Sequence, residues 1–179
     1  MANADAPRGF KPLGSIDSGD YQILEYEVDA SNTLAIFKGD PLTLEADGNV
    51  KQSVANDGVK VHAVAVGFKN SDGQSISYLA GSTAGTVLGV PVKNQLFAVQ
   101  ADTGTAVVAT ARYATANHAV TAGDTDTGIS KCELDSSDIG TGVQVRILDK
   151  VDEPNNSWAE HVDLVVEFTE NASESAVTI

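Results

Sequence analysis

A mainly β domain, a single antiparallel barrel or sandwich with an extended N-terminal arm and at most one or two short helices, is what this sequence predicts. Three observations point there. Residues of the branched and aromatic kinds recur with a period of two, best in Val59–Phe68, in 143–148 and in 161–168. Asp-Gly pairs at 47–48, 57–58 and 72–73 punctuate these segments, and Asp-Gly between alternating runs is the strongest short-range hairpin signal. Finally, 179 residues that are 42% apolar suffice for one domain whose core needs no disulfide or metal staple.

In chain order, residues 1–20 read as an arm. Pro7, Gly9, Pro12, Gly14 and Gly19 prevent a helix, and Phe10, Leu13 and Ile16 are its bulky apolar groups. Anchors spaced between prolines suit an extended segment that gains order on another surface. The body, 21–170, opens with a strand at Tyr21–Val28, followed by Thr33–Phe37, a turn at Gly39-Asp40-Pro41, and Leu42–Glu45. Val59–Phe68 is apolar on both faces, with His62, Val64, Val66 and Phe68 on one and Val59, Val61, Ala63 and Ala65 on the other, so it belongs at a sheet centre. Strands follow at Ser75–Ala80 and Gln95–Gln100. A short helix is compatible with Val107, Ala111 and Ala114 within 104–114. Residues 115–142, rich in Thr, Asp, Gly and Ser, read as a long loop or flap. Two strong strands, joined by the turn Asp152-Glu153-Pro154-Asn155-Asn156, close the body, and 171–179 form a polar tail that frays.

Charge excludes more than it names. With 25 Asp and Glu against 11 Lys and Arg, the net charge is −14. Nucleic acid requires clustered cations, whereas Arg8, Arg112 and Arg146 are scattered; an anionic membrane would repel the chain for the same reason. No window approaches the length of a membrane span, and Met1 to Asp5 lacks the basic and apolar regions of a secretory signal, so a cytoplasmic product is expected.

Chemistry-bearing patterns are sparse. Cys132 stands alone with nothing nearby to activate it, so a half-buried small residue is expected. His62, His118 and His161 are too far apart for a local metal motif; His62 and His161 belong on strand faces and His118 on the flap. Asp124-Thr125-Asp126-Thr127-Gly128 opens like a calcium loop. It fails the pattern where Gly128, Ile129 and Asp135 stand, leaving a solvated turn or weak calcium binding at Asp124 and Asp126. Gly81-Ser82-Thr83-Ala84-Gly85 places its serine one residue too early for a nucleophile elbow. Paired carboxylates for glycoside hydrolysis would need an aromatic-lined cleft, and aromatics are only 6% of the chain. The expectation is a non-enzyme without cofactor or metal. Trp158, the one tryptophan, follows a turn and suits either a contact anchor or a cap on the core.

Several stretches resemble the decoration, or cement, proteins on the heads of tailed bacteriophages, the type seen in marine phages. They are Met1-Ala2-Asn3 with Pro7-Arg8-Gly9-Phe10-Lys11-Pro12; Phe37-Lys38-Gly39-Asp40; Phe97-Ala98-Val99-Gln100-Ala101-Asp102; Glu133-Leu134-Asp135; and the run from Arg146 through Asp149-Lys150-Val151 to Trp158, with the strand after it. Leu148-Asp149-Lys150 departs from the small apolar run usual in such chains, and the tail after Phe168 is longer and acidic. The resemblance implies a β-barrel-like body made in a bacterial host's cytoplasm and carried on the outer face of an icosahedral capsid. It would bind the major capsid protein, often as a homotrimer at threefold or quasi-threefold positions, and stabilise the expanded, DNA-filled head. On that basis Pro7, Phe10, Pro12, Leu13 and Trp158 are the expected contacts with capsid or neighbouring subunit. The alternatives are a phage surface module that binds host glycan and a tail or neck component.

Overall fold

The computed structural model describes residues 3–17, 19–55 and 58–169. In chain order its strands are β1 (Lys11–Ser15), β2 (Leu24–Val28), β3 (Pro41–Leu44), β4 (Val50–Gln52), β5 (Ala63–Asn70), β6 (Ser75–Ile76), β7 (Gly85–Pro91) and β8 (Gln95–Gln100). There follow β9 (Thr115–Ala116), β10 (His118–Ala119), β11 (Glu133–Leu134), β12 (Val145–Lys150) and β13 (Asp163–Phe168). One sheet runs β1-β8-β13-β12-β9; the other runs β2-β7-β5-β3-β4 with β6 hairpinned onto β5; β10 and β11 form a two-stranded ladder. Among the described residues every pairing between these strands is antiparallel, and two isolated bridges, Lys38 to Ile129 and Ala101 to Leu134, are parallel. The result is a sandwich-like, mainly β domain, and of the two forms expected the closed barrel is not the one adopted.

Packing follows the alternation. In β13, Leu164, Val166 and Phe168 are buried while Asp163, Val165 and Glu167 are only half so. With Phe97 and Val99 of β8 and Val145 and Ile147 of β12 they form the main core, to which the second sheet contributes Val64 and Val90. Each such side chain contributes about 1.5–3 kcal/mol through removal from water. A second core of Val28, Leu42, Val50, Ala65, Phe68 and Val87 lies on the opposite face of the second sheet. It is covered by Ile36 and Leu79, which exchange backbone hydrogen bonds of 2.8 and 3.0 Å. Strand β5 is therefore central and buried on both faces, as its sequence predicts. A bulge between Ala65 and Gly67 inserts one residue, however, and turns Phe68 to the side of Ala63 and Ala65 rather than that of Val64.

Other expectations change. Thr33–Phe37 is a loop with one bridge, Ile36 to Leu79, because Ile36 serves as a lid on the second core. The Asp47-Gly48 and Asp72-Gly73 pairs do turn the β3-β4 and β5-β6 hairpins. The third pair joins no hairpin, since β4 pairs with β3 and not with β5; Asp57 itself lies outside the described residues. The helix expected in 104–114 shrinks to a 3-10 turn at Ala109–Ala111. Strand β7 carries no clear alternation because Gly85, Gly89 and Pro91 interrupt it, yet it pairs with both β2 and β5.

The largest corrections concern the two segments read as loosely attached. Lys11–Ser15 is an edge strand of the domain's own sheet rather than a free arm. Nor is 115–142 a flap: it holds β9, β10, β11 and a second 3-10 turn at Ser136–Asp138, and His118, Ser130, Cys132, Leu134 and Ser136 are buried. Its buried serines have partners inside the domain. Ser136 bonds through its hydroxyl to Asp102 and receives the Thr105 N–H at 2.7 Å. The tail expected at 171–179, with the first two residues of the arm, lies outside the described residues.

Candidate interaction surfaces

The N-terminal segment is stitched to its own domain before any partner is considered. Asn3 donates to the carbonyls of Ser157 and Glu160 at 2.9 and 2.8 Å, and Gln100 clasps Ala6 N–H and the Ala4 carbonyl at 2.8 and 3.1 Å. Arg8 pairs with Asp163 at 2.8 Å. Gly9 and Gly39 then back onto each other. Gly9 has φ +68°, and a Cβ there would lie 2.6 Å from the Gly39 carbonyl oxygen, so only glycine permits this approach. Phe10 drops into the core at 1% exposure, its ring 4.9 Å from that of Phe168 and edge-on to His118.

Phe10 therefore holds its own domain and has no face left for a neighbour, which corrects its expected role as an external anchor. Pro7 and Pro12 are half-buried. Pro12 sits opposite Phe97 on the edge strand, a place where the missing N–H is tolerated. It also lines a cleft of about 210 Å³ with Phe10, Ala65, Val66 and Ile129, rimmed by Arg8, Lys11 and Lys38. Leu13 remains outward, and it has company. Leu13, Ile16, Tyr21, Ile23 and Leu24 are each 40–52% exposed. Leu13 lies on β1, Leu24 on β2 and the others in the segment between, and β1 and β2 are edge strands of the two different sheets: among the described residues β1 pairs only with β8, and β2 only with β7. An exposed edge strand that carries apolar side chains is a template for a further strand.

Trp158 takes the place of a cap on the core, one of the two roles the sequence allowed. It is half-buried against the main core, and the Arg112 guanidinium lies 4.9 Å over its ring, a cation–π contact. Arg112 is fixed in turn by Asp149 at 3.0 Å. The same segment exposes Val108 and Tyr113, the latter 73% exposed. Trp and Arg in contact, with an exposed Tyr adjacent to the Arg in sequence, are residue types enriched at interface centres.

The catalytic candidates are not brought into a working arrangement. Cys132 is fully buried rather than half-buried, its thiol pushed up by burial and by the Asp40 carboxylate. Ser82 lies in a turn whose N–H is taken by the Asn32 carbonyl. Asp124 accepts from the N–H groups of Asp126 and Thr127, which hold its carboxyl low, so the calcium-like stretch closes on itself as a turn. His62 is half-buried beside Tyr26. His161 lies in the turn before β13, where it meets Asp5 and Glu133, a grouping that no local spacing announces. Among the described residues no helix is long and apolar enough to cross a membrane.

His118, placed on an exposed flap by sequence, is wholly buried. Its ring faces the Ser53 carbonyl and the Gln144 side chain without a well-aligned hydrogen bond, and desolvation lowers its pKa to about 4. Because the folded value lies below the unfolded one, stability is complete above about pH 6.5 and falls as pH drops toward 4. The loss amounts to about 3 kcal/mol from this group. Urea unfolding at pH 7.0 and 4.5 should show that loss in the native protein, and a smaller one in His118→Leu.

The geometry thus defines a β-sandwich with an exposed apolar group at β1–β2 and a mixed aromatic and charged group at Trp158. No family model matches the chain, and neither a curated protein nor a solved structure matches it.

Proposed function

We propose that this protein is a non-enzymatic structural protein that decorates and cements the outer surface of an icosahedral phage capsid, binding the major capsid protein and stabilising the expanded, DNA-filled head. The observation that carries this proposal is the group of exposed apolar residues Leu13, Ile16, Tyr21, Ile23 and Leu24, on the edge strands β1 and β2 and the segment that joins them. In a chain of charge −14, so many large apolar groups within one short stretch are best explained by a partner that covers them. The resemblance of the stretches around Pro7–Pro12 and Arg146–Trp158 to capsid decoration proteins supplies the partner's identity.

Decoration requires no reacting groups, only a rigid body and repeated docking. A ligand that binds only the expanded lattice stabilises it by about 2.7 kcal/mol per site at a hundredfold excess over Kd, and a head multiplies that over many copies. The edge strands of one subunit would meet the next around a threefold position, with the Trp158 end turned to the shell. Replacing Leu13 and Ile23 together by aspartate puts two charges into this apolar group without touching either core. Binding of the purified variant to expanded heads should weaken at least about tenfold while its melting temperature stays near that of the native protein. Undiminished binding would refute the assignment of these edges.

A further inference from the structure

Three donor side chains from distant parts of the sequence converge beside the start of β13: Asp5 from the N-terminal segment, Glu133 from β11 and His161 from the preceding turn. One ligand atom of each lies within 4.8 Å of the other two, and Asp5 Oδ1 is 3.9 Å from His161 Nδ1. The His161 side chain is only 13% exposed. Its Nδ1 and the Glu133 Oε1 are both shut off from solvent without a hydrogen-bond partner. Buried polar atoms are ordinarily satisfied, so two orphans within one cluster of donor side chains call for an occupant. Burial, Asp5 and Asp102 also push the Glu133 carboxyl up, with His161 opposing, so negative charge is crowded here.

We propose that Asp5, Glu133 and His161 form a binding site for a divalent cation of the zinc class, solvent completing the coordination. An imidazole nitrogen with two carboxylates matches the borderline preference of such ions, whereas magnesium and calcium favour oxygen alone. A cleft of about 180 Å³, lined by Asn3, Ala4, Asn156, His161 and Asp163 among others, opens beside the histidine. Arg8 lines the same cleft, but its charge is engaged by Asp163 at 2.8 Å. The ion would clamp the N-terminal segment to β11 and the β13 turn, reinforcing the bonds of Asn3 to Ser157 and Glu160. The site is independent of what the outer surfaces bind.

Metal-stripped full-length protein, titrated with Zn²⁺ by calorimetry and followed by NMR of its three histidine rings, tests this directly. One equivalent should bind, the His161 resonances should shift while those of His62 and His118 stay, and the melting temperature should rise. Glu133→Gln should weaken the binding at least about tenfold. Weak multi-site uptake, shifts at His62 in place of His161, or affinity unchanged in Glu133→Gln would overturn the site. Should that variant fail to fold, the histidine shifts of the native protein decide the matter alone.

Discussion

Phe10→Ala is expected to destabilise the protein by about 3–5 kcal/mol, the range for deleting a fully buried aromatic side chain. The ring lies between Phe168 of β13 and His118 of β10, so its loss leaves a cavity that the antiparallel ladder on either side cannot collapse to fill. The consequence reaches beyond one residue. Removing residues 1–14 deletes Phe10, the Gly9 seat and most of β1, so the truncated chain should unfold rather than remain an intact body that fails to dock. Chemical unfolding of Phe10→Ala, beside Leu13→Ala as an exposed control, checks this. A loss under about 1 kcal/mol at Phe10 would show that the segment is only loosely seated.

Asp40→Ala should cost about as much, for a different reason. Asp40 is wholly buried without a cation, and its carboxylate is the hub of four donors: Phe37 N–H and Gln52 Nε2 at 2.8 Å, the Ser130 hydroxyl, and the Cys132 thiol at 3.4 Å. These bonds tie the turn before β3 to β4 and to the stretch leading into β11. Alanine strands the donors in an apolar interior, at about 1–3 kcal/mol each. Desolvation pushes the Asp40 carboxyl up despite these bonds, so the folded protein takes its proton at a higher pH than the unfolded chain does. Mild acid therefore favours the fold at Asp40 while opposing it at His118. The His118→Leu comparison separates the two. A melting temperature for Asp40→Ala close to that of the native protein would contradict the hub.

How much of this was legible in the sequence depended on where polar residues point. Strand β8 coincides with its expected span, and β13 declares itself by Leu164, Val166 and Phe168, because each alternating face meets one uniform environment. Strand β7 was illegible because Gly85 and Gly89 lie where neighbouring chain leaves no room for a side chain: a Cβ on Gly89 would meet the Tyr26 ring at 2.9 Å. Residues 115–142 read as a flap since Ser, Asp and Thr look solvated; here Ser130 and Ser136 instead satisfy the buried or half-buried carboxylates of Asp40 and Asp102. Leu13 was legible as an exposed residue, being a bulky apolar group in turn-rich sequence. Phe10 has the same signature and the opposite fate, decided by a pair of glycines that let the chain dive inward. The grouping of Asp5, Glu133 and His161 is created by tertiary pairing alone, which no local pattern encodes.

The central claim is that these surfaces serve an assembled shell. Co-sedimentation of the labelled protein with expanded phage heads, beside unexpanded proheads, tests it most directly. Saturable pelleting with expanded heads alone is the result predicted, since a cement protein reads the mature lattice. Absence of pelleting with either particle would contradict it.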